Sequence, residues 1–225
     1  MPDGPLSLPA RLYLLAWDTA RCRITGAAHL HHLVRAGALT ELAQRGLLVD
    51  DDGIATPVGL DAATGDPVLD GLLELIHESR PRRWKTWVTL RARYTLDAVR
   101  EQLTATGHLR ARRKRVLGVF PSVDHDLARV AVVDALREDA RRILLGPLPV
   151  AEVSDRDAAL VALAAAAELR TVVPARDRRR YRDRIEDLTE RSGAAAPALR
   201  RVVREVRTAM IASAAATASS AAATG

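Results

Sequence analysis

The run from Asp155 to Val173, DRDAALVALAAAAELRTVV, constrains the fold more than any other segment, because it is apolar on nearly every side of a helix. A helix without a polar face has to be buried, since exposure would leave its apolar surface in water. The run therefore predicts a central helix around which other elements pack. Aromatic residues make up only 3% of the chain, and this composition favours closely packed helices over an aromatic-rich sheet.

The remaining segments predict amphipathic helices joined by short hairpins. Leu96, Val99 and Leu103 recur at helical spacing, and Thr106-Gly107 predicts the end of that helix. Asp52-Gly53 predicts a turn between two short strands. Further helices are predicted over 8–20, 29–46, 67–79 with Asp66 as N-cap, 83–92, 127–145, 175–192 and from Pro197 to about Ala212.

These patterns predict a mainly α fold: a single globular helical domain over residues 8–212, with a buried central helix surrounded by amphipathic helices and short β-hairpins. A chain of 225 residues is long enough for one good core. Residues 1–7 form an N-terminal segment, and the Ala/Ser/Thr-rich residues 213–225 predict a disordered tail.

The charge predicts an acidic partner. A net charge of +6 attracts nucleic acid, anionic membrane or acidic protein. The excess of Arg over Lys is typical of phosphate binders and equally of GC-rich genomes, so both explanations stay open. The longest apolar stretch, Ala158 to Ala167, is shorter than the ~20 residues that span a bilayer, so membrane contact would be peripheral. The single Cys22 excludes an internal disulfide and indicates a reducing compartment, and the N-terminal MPDG has no signal-peptide pattern.

No pattern in the chain predicts catalysis, a metal or a cofactor. His29, His31 and His32 cluster without the Cys or spaced carboxylate that would complete a metal site, so we interpret them as solvated loop histidines. The run Asp50 to Gly53 lacks the later ligands of a calcium loop and predicts a solvated turn. Nucleophile elbows, Walker loops and dinucleotide fingerprints are absent from the sequence, which predicts a non-enzymatic protein.

The segment after Gly107 combines uninterrupted positive charge with apolar residues on a predicted hairpin. Its cations are Arg110, Arg112, Arg113, Lys114 and Arg115, and its apolar residues are Val116, Leu117, Val119 and Phe120. Five unpaired cations repel one another unless an anionic surface is near, and each could gain about 1 kcal/mol at an anionic leaflet. A lipid headgroup layer fits this segment, and so does a partner protein. The apolar residues could instead cap the domain's own core.

The order of segments resembles the Golgi phosphoprotein 3 family of peripheral membrane adaptors, and the Ala/Arg-rich composition looks like a bacterial member. The matching runs are LVRAGALTELAQRGLL (33–48), TGDPVLDGLL (64–73), TWVTL (86–90) and AVREQLTATGHL (98–109), followed by the apolar hairpin. The resemblance extends from Leu8 to about Ala212. It implies a mainly helical domain that binds phosphatidylinositol 4-phosphate, with a hairpin that touches the membrane and mediates self-association.

In that family a Trp and three Arg form the headgroup pocket. By this resemblance Arg35 matches the first arginine and Arg100 the last, whereas Asp97 stands at the middle position and the tryptophan position falls near Gly26. Asp97 would repel a phosphate unless Arg93 neutralises it. The resemblance therefore implies binding of anionic lipid with relaxed headgroup preference.

Our first hypothesis is a cytoplasmic, non-enzymatic protein at the inner face of a membrane. It would bind anionic phospholipid through Arg35, Arg93 and Arg100, and through Arg112, Arg113, Lys114 and Arg115, then insert Leu117, Val119 and Phe120 or form a homo-oligomer through them. The alternative is a winged-helix nucleic-acid binder that uses the helix from Leu39 to Arg45 or the similar helix that includes Val99 to Leu103. The first of these offers few base-reading side chains, and its wing is acidic. A protein-interaction scaffold without an anionic partner is the third possibility. The sequence names neither the lipid nor the pathway.

Overall fold

The structure is a computed structural model of the 225-residue chain. It describes residues 5–59, 63–116 and 120–194, together with Val202, Val203, Val206 and Thr208. The predicted tail over 213–225 lies outside these residues.

The described residues are mainly helical, as predicted, with short antiparallel strand pairs between the helices. In the described ranges between residues 5 and 194, the α-helices are α1 (Leu8–Leu15), α2 (Leu30–Gln44), α3 (Pro67–His77), α4 (Trp84–Thr89), α5 (Ala92–Ala105), α6 (Val130–Leu145), α7 (Asp155–Ala166) and α8 (Arg182–Ala194). The strands are β1 (Trp17–Asp18), β2 (Arg23–Ile24), β3 (Leu48–Asp51), β4 (Ile54–Pro57), β5 (Arg82–Arg83), β6 (Leu109–Val116) and β7 (Phe120–Leu127). They form a β1–β2 ribbon, a β3–β4–β5 sheet and a β6–β7 hairpin.

Helix α7 lies at the centre, as its apolar circumference predicts. Every residue from Ala158 to Ala167 is buried, and the helix packs against α1, α2, α6 and α8. Alanine side chains let these neighbours approach closely. The helix begins at a capped end, where the Ser154 hydroxyl accepts the backbone N–H of Asp157 at 3.1 Å.

A buried carboxylate ties the central helices together. Glu41 on α2 accepts the backbone N–H of Leu8 at 2.6 Å, which satisfies a free donor at the start of α1. Its other oxygen accepts Nη2 of Arg45 at 2.7 Å and Nη2 of Arg156, at the start of α7, at 3.3 Å. The charge is therefore both paired and hydrogen-bonded, which is the condition under which a buried carboxylate is tolerated.

Helix α5 leads directly into the β6–β7 hairpin. Leu96, Val99 and Leu103 are buried, which confirms the predicted core face. Gly107 has φ +70°, a conformation that favours glycine, and the His108 N–H donates to the Leu103 carbonyl at 2.8 Å to close the last turn. Because only three residues separate the end of α5 at Ala105 from the start of β6 at Leu109, the orientation of α5 also determines where the hairpin starts.

Several predicted boundaries are wrong. The central helix ends at Ala166 and not at Val173, and the helix predicted over 83–92 ends at Thr89. Helix α1 ends at Leu15 and not at Ala20, because Trp17–Asp18 pairs with Arg23–Ile24. Helix α6 begins at Val130 and not at 127, because strand β7 continues through Leu127. The charged helix predicted from 175 begins at Arg182, and turns precede it.

The crossing of α1 and α2 generates a stability prediction at Gly37. A Cβ added there would lie 2.6 Å from Cδ1 of the buried Leu12 and 3.2 Å from the backbone Cα of Pro9. Gly37→Ala is expected to lower the free energy of unfolding by about 1–2 kcal/mol, because the overpacking outweighs the helix propensity of alanine. Urea denaturation measures this change.

Gly71→Ala on α3 is the matched control. An added Cβ at Gly71 has no heavy atom within 4 Å. This substitution is expected to raise the free energy of unfolding by about 0.5–1 kcal/mol, since alanine loses less backbone entropy on folding. Equal stabilisation by the two substitutions would contradict the close contact of α1 with α2.

Candidate functional site

Three of the predicted lipid-binding arginines lie on or against α5. Arg93 and Arg100 share one face of this helix with Asp97, as their spacing predicts, whereas Arg35 reaches the start of α5 from α2. Arg100 lies further along the helix, roughly 13 Å from Arg91 by the helical rise per residue. Arg35 and Arg100 are therefore at different levels of α5.

Arg35 lies in the interior. It is 1% exposed, and its Nη2 donates to the backbone carbonyl of Arg91 at 2.8 Å. Its Nε and Nη1 have no hydrogen-bond partner among the described residues. Burial lowers the pKa of Arg35 to about 10, so the guanidinium stays charged at neutral pH.

Arg100 lies where α5 meets α1 and the hairpin. Its Nη1 contacts Asp97 Oδ1 at 3.2 Å, so the neutralising partner of Asp97 is Arg100 and not Arg93 as the sequence suggested. The Arg100 guanidinium lies 5.9 Å from the ring centroid of Tyr13 on α1. On the hairpin side, burial and the charge of Arg100 lower the pKa of His125, against the raising effect of nearby carboxylates.

His31 and His32 lie on α2, and the prediction that they are solvated loop residues is wrong. Both are partly buried, with their ring centroids 3.9 Å apart, and His32 Nδ1 lies 3.3 Å from the Val88 carbonyl. Burial, followed by the charges of His32, Arg93 and His29, lowers the pKa of His31 to about 4. The pKa of His32 is also lowered, mainly by burial.

Two positively charged side chains therefore lie along α5. We define the α5 band as Arg93 and Arg100 with the two histidines whose pKa values burial and these arginines lower, His31 and His125. Arg93 is exposed and has no ion-pair partner among the described residues, whereas Asp97 offsets part of the charge of Arg100. An anion placed along this band would be attracted most strongly at Arg93.

The hairpin supplies its own acidic residues, which corrects one expectation. Arg110 stands opposite Asp126, and Arg112 stands opposite Asp124 in the strand register. Arg112 Nε lies 3.6 Å from Asp126 Oδ2. The prediction that Arg112 is unpaired is therefore wrong. Both side chains are exposed, and such a pair contributes little to stability, about 0–1 kcal/mol.

The predictions for the distal half of the hairpin are not tested by the described residues. Leu117 and Val119 lie outside the described residues. The backbones of Arg113, Lys114 and Arg115 belong to β6, and that of Phe120 belongs to β7, but their side chains lie outside the description. Membrane insertion and self-association through this tip stay predictions.

Gly26, at the position of the family's tryptophan, lies against the segment that follows α7. Its φ is +66°, and a Cβ added there would lie 3.9 Å from Cδ2 of Leu169, just after α7. Gly26 lines a surface cavity that neither Arg35 nor Arg100 lines. The sequence reasoning missed this cavity, because its arginines come from distant segments without a common motif.

The geometry argues against the nucleic-acid alternative at α2. Leu39, Leu42 and Ala43 are buried in the core, so the proposed recognition helix presents no face to a DNA groove. Within the described part of the chain, no cluster of three or more His, Cys, Asp or Glu could hold a metal ion. Every described helix is too short or too polar to cross a lipid bilayer.

The pKa of His31 generates a prediction about acid stability. Its native value of about 4 lies below the ordinary 6.5, so the unfolded chain binds more protons than the native protein between these pH values. Stability should fall as the pH drops through this window. His31→Gln should reduce proton uptake on unfolding near pH 5 by about one proton.

Urea titrations from pH 4 to pH 7 measure this uptake as the slope of unfolding free energy against pH. His77→Gln, on α3, controls for the replacement of a partly buried histidine elsewhere. The same slope in the parent and His31→Gln proteins would contradict the assignment.

Comparison with known proteins identifies the family. A search of curated proteins found no match. The sequence model of the family described as Golgi phosphoprotein 3 (GPP34) matches residues 8–206, from the first residue of α1 through the central helix and beyond α8. This match confirms the resemblance drawn from the order of segments. The chain therefore belongs to the Golgi phosphoprotein 3 (GPP34) family.

Proposed function

We propose that the protein is a non-enzymatic peripheral membrane protein that binds anionic phospholipid headgroups along the α5 band. The observation that carries the proposal is the outer face of α5, where Arg93 is exposed without an ion-pair partner among the described residues and Arg100 lies two turns further along the same face. A phosphate placed there would gain charge-assisted hydrogen bonds from a guanidinium group. Family membership supports the same class of ligand.

Arg35 lies beneath the α5 band and holds the start of α5 in position. A side chain that is 1% exposed cannot meet a headgroup at the surface, but its bond to the Arg91 carbonyl fixes the end of α5 from which Arg93 projects. We therefore assign Arg35 a positioning role, in place of the direct headgroup contact that the family resemblance implies.

An exposed aromatic residue adds an apolar contact beside the band. Tyr94 is 71% exposed and follows Arg93 on α5. A tyrosine ring suits the membrane interface, because its body is apolar and its hydroxyl is polar. On the hairpin, Val123 is also exposed. Docking would place α5 against the headgroup layer. We also propose that Leu117, Val119 and Phe120 insert more deeply into the membrane, and that the protein self-associates through the hairpin.

The headgroup preference should be broad. Asp97 is exposed and takes up part of the charge of Arg100, so the band has fewer free cations than a site dedicated to a doubly charged phosphate needs. We infer binding of anionic lipids as a class, including phosphoinositides, at the inner face of a membrane.

Vesicle co-sedimentation tests the proposal. Vesicles that contain phosphatidylserine and phosphatidylinositol 4-phosphate should pellet the protein, and vesicles of phosphatidylcholine alone should not. Arg93→Ala and Arg100→Gln should each weaken binding about fivefold, corresponding to about 1 kcal/mol per lost cation. Binding should also weaken when salt is raised from about 0.05 M to about 0.5 M.

Arg179→Ala is the matched control, since Arg179 is an exposed arginine of the segment before α8 and is not part of the α5 band. Circular dichroism checks that Arg100→Gln stays folded despite losing the Tyr13 contact. Equal pelleting with neutral and anionic vesicles, or an equal loss in Arg179→Ala, would refute specific docking through the α5 band.

Removing the negative charge within the band should have the opposite effect. Asp97→Asn releases Arg100 from its contact at 3.2 Å and removes a carboxylate from the docking face. Affinity for anionic vesicles is expected to rise about fivefold. Glu101→Gln, an exposed neighbour on the adjacent face of α5, shows whether any loss of negative charge has the same effect. A reduced affinity in Asp97→Asn would mean that Asp97 orients Arg100 for binding.

A further inference from the structure

A second basic site lies in the surface cavity that Gly26 lines. The cavity has a volume of about 1070 Å³ and lies among the β1–β2 ribbon, α6 and the segment after α7. The five arginines that line it are Arg21, Arg23, Arg137, Arg141 and Arg170. They come from three separate parts of the sequence, so the fold alone brings them together.

The two carboxylates of the lining already have partners. Asp18 Oδ2 contacts Arg21 Nη1 at 3.2 Å, and the backbone N–H of Arg21 helps lower the pKa of Asp18. Glu168 pairs with Arg178, which is not part of the lining. Arg137 of the lining also pairs with Asp134, which lies outside the lining. An excess of positive charge therefore remains in the cavity, at Arg23, Arg141 and Arg170.

Two of the arginines are held in place by the protein. Arg137 Nη2 donates to the Trp17 carbonyl at 2.6 Å, and its Nη1 donates to Thr19 Oγ1 at 3.1 Å and to Asp134 Oδ1 at 3.0 Å. Arg141 Nη2 donates to the Thr171 carbonyl at 3.2 Å. A guanidinium fixed in this way loses less conformational entropy when it binds a ligand.

Arg23 and Arg170 complete the site. Both are exposed, and neither has a hydrogen-bond or ion-pair partner among the described residues. Their guanidinium groups share one cavity with the fixed pair, and an anion with several charges would satisfy both sets. The small residues Ala166 and Ala167 form part of the cavity wall and leave room for a ligand among the arginines.

We propose that this cavity binds a compact molecule carrying two or more phosphate groups. The planar forks of arginine match phosphate oxygens in pairs, which favours phosphate esters over monovalent anions. The volume is comparable with the upper range of small-molecule sites, about 300–1,000 Å³. The site uses different arginines from the proposed lipid-binding band, because neither Arg93 nor Arg100 lines the cavity, although His29 of the lining interacts with His31 of the band.

Isothermal titration calorimetry with inositol hexakisphosphate tests the site on the full chain. One molecule should bind per chain, and the double variant Arg23→Ala/Arg170→Ala should weaken binding at least about tenfold, since two charge-assisted contacts are lost. Both side chains are exposed and unpartnered, so the fold should be unaffected. Inorganic sulfate at the same concentration should compete weakly.

The control is Arg80→Ala, which removes an exposed arginine from the loop before β5, outside the cavity. It should change the affinity less than about twofold, the expectation for diffuse attraction by net charge alone. Absence of binding, or an equal loss in Arg80→Ala and the double variant, would overturn the proposal. Loss of inositol hexakisphosphate binding in Arg93→Ala/Arg100→Gln would also overturn it, by moving the site to the α5 band.

A second arm distinguishes a soluble ligand from a lipid headgroup. If the cavity takes a soluble phosphate ester, the double variant should bind phosphatidylinositol 4-phosphate vesicles like the parent protein. If it takes a headgroup, vesicle binding should fall together with inositol hexakisphosphate binding. Failure of vesicle docking with retained inositol hexakisphosphate binding would refute the α5 proposal alone.

Discussion

The carboxylate of Glu41 holds together the three helices on which the rest of the structure is built. One oxygen accepts the N–H of Leu8 at the start of α1, and the other receives guanidinium groups from Arg45 and from Arg156 at the start of α7. A buried charge is costly without partners, so α1, α2 and α7 must take the one arrangement that supplies them all. In this arrangement α1 approaches α2 closely at Gly37, where an added Cβ would lie 2.6 Å from Cδ1 of Leu12.

The same rigid centre determines how α5 is presented. Arg35 extends from buried α2 to the carbonyl of Arg91, and Leu96, Val99 and Leu103 fix the inner face of α5. The outer face is then left to Arg93 and Arg100. Because α5 leads into β6 through one tight turn, the hairpin base and its His125 are placed beside Arg100. The buried core thus determines where Arg93 and Arg100 lie on the surface.

Arginine has three different roles in this protein. Arg156 neutralises a buried carboxylate and contributes to the fold. Arg112 is paired with Asp126 across the hairpin, where solvent screens the attraction. Arg93, Arg23 and Arg170 have no ion-pair partner among the described residues, and they belong to the two sites proposed here. The net charge of the chain does not distinguish these roles, because they depend on which side chains the fold brings within reach.

Local patterns were sufficient for most of the helices. The apolar circumference of the central segment, the spacing of Leu96, Val99 and Leu103, and the glycine stop at Gly107 all depend on neighbours a few residues away. The order of segments was also sufficient to indicate the family, which the match over residues 8–206 confirms. The boundary errors at α1 and α6 occurred where strand pairing overrides local helix preference, as when Trp17–Asp18 pairs with β2.

The sequence by itself determined the helical class, the buried central helix and the family, because periodicity and capping are properties of consecutive residues. Only the tertiary structure decided that Arg35 is internal, that His31 and His32 are partly buried on α2, and that Asp126 reaches Arg112. It alone assembled the basic cavity. Burial and electrostatic interaction depend on distance in space, and residues far apart in the chain, such as Arg23 and Arg170, leave no periodic signal of their proximity.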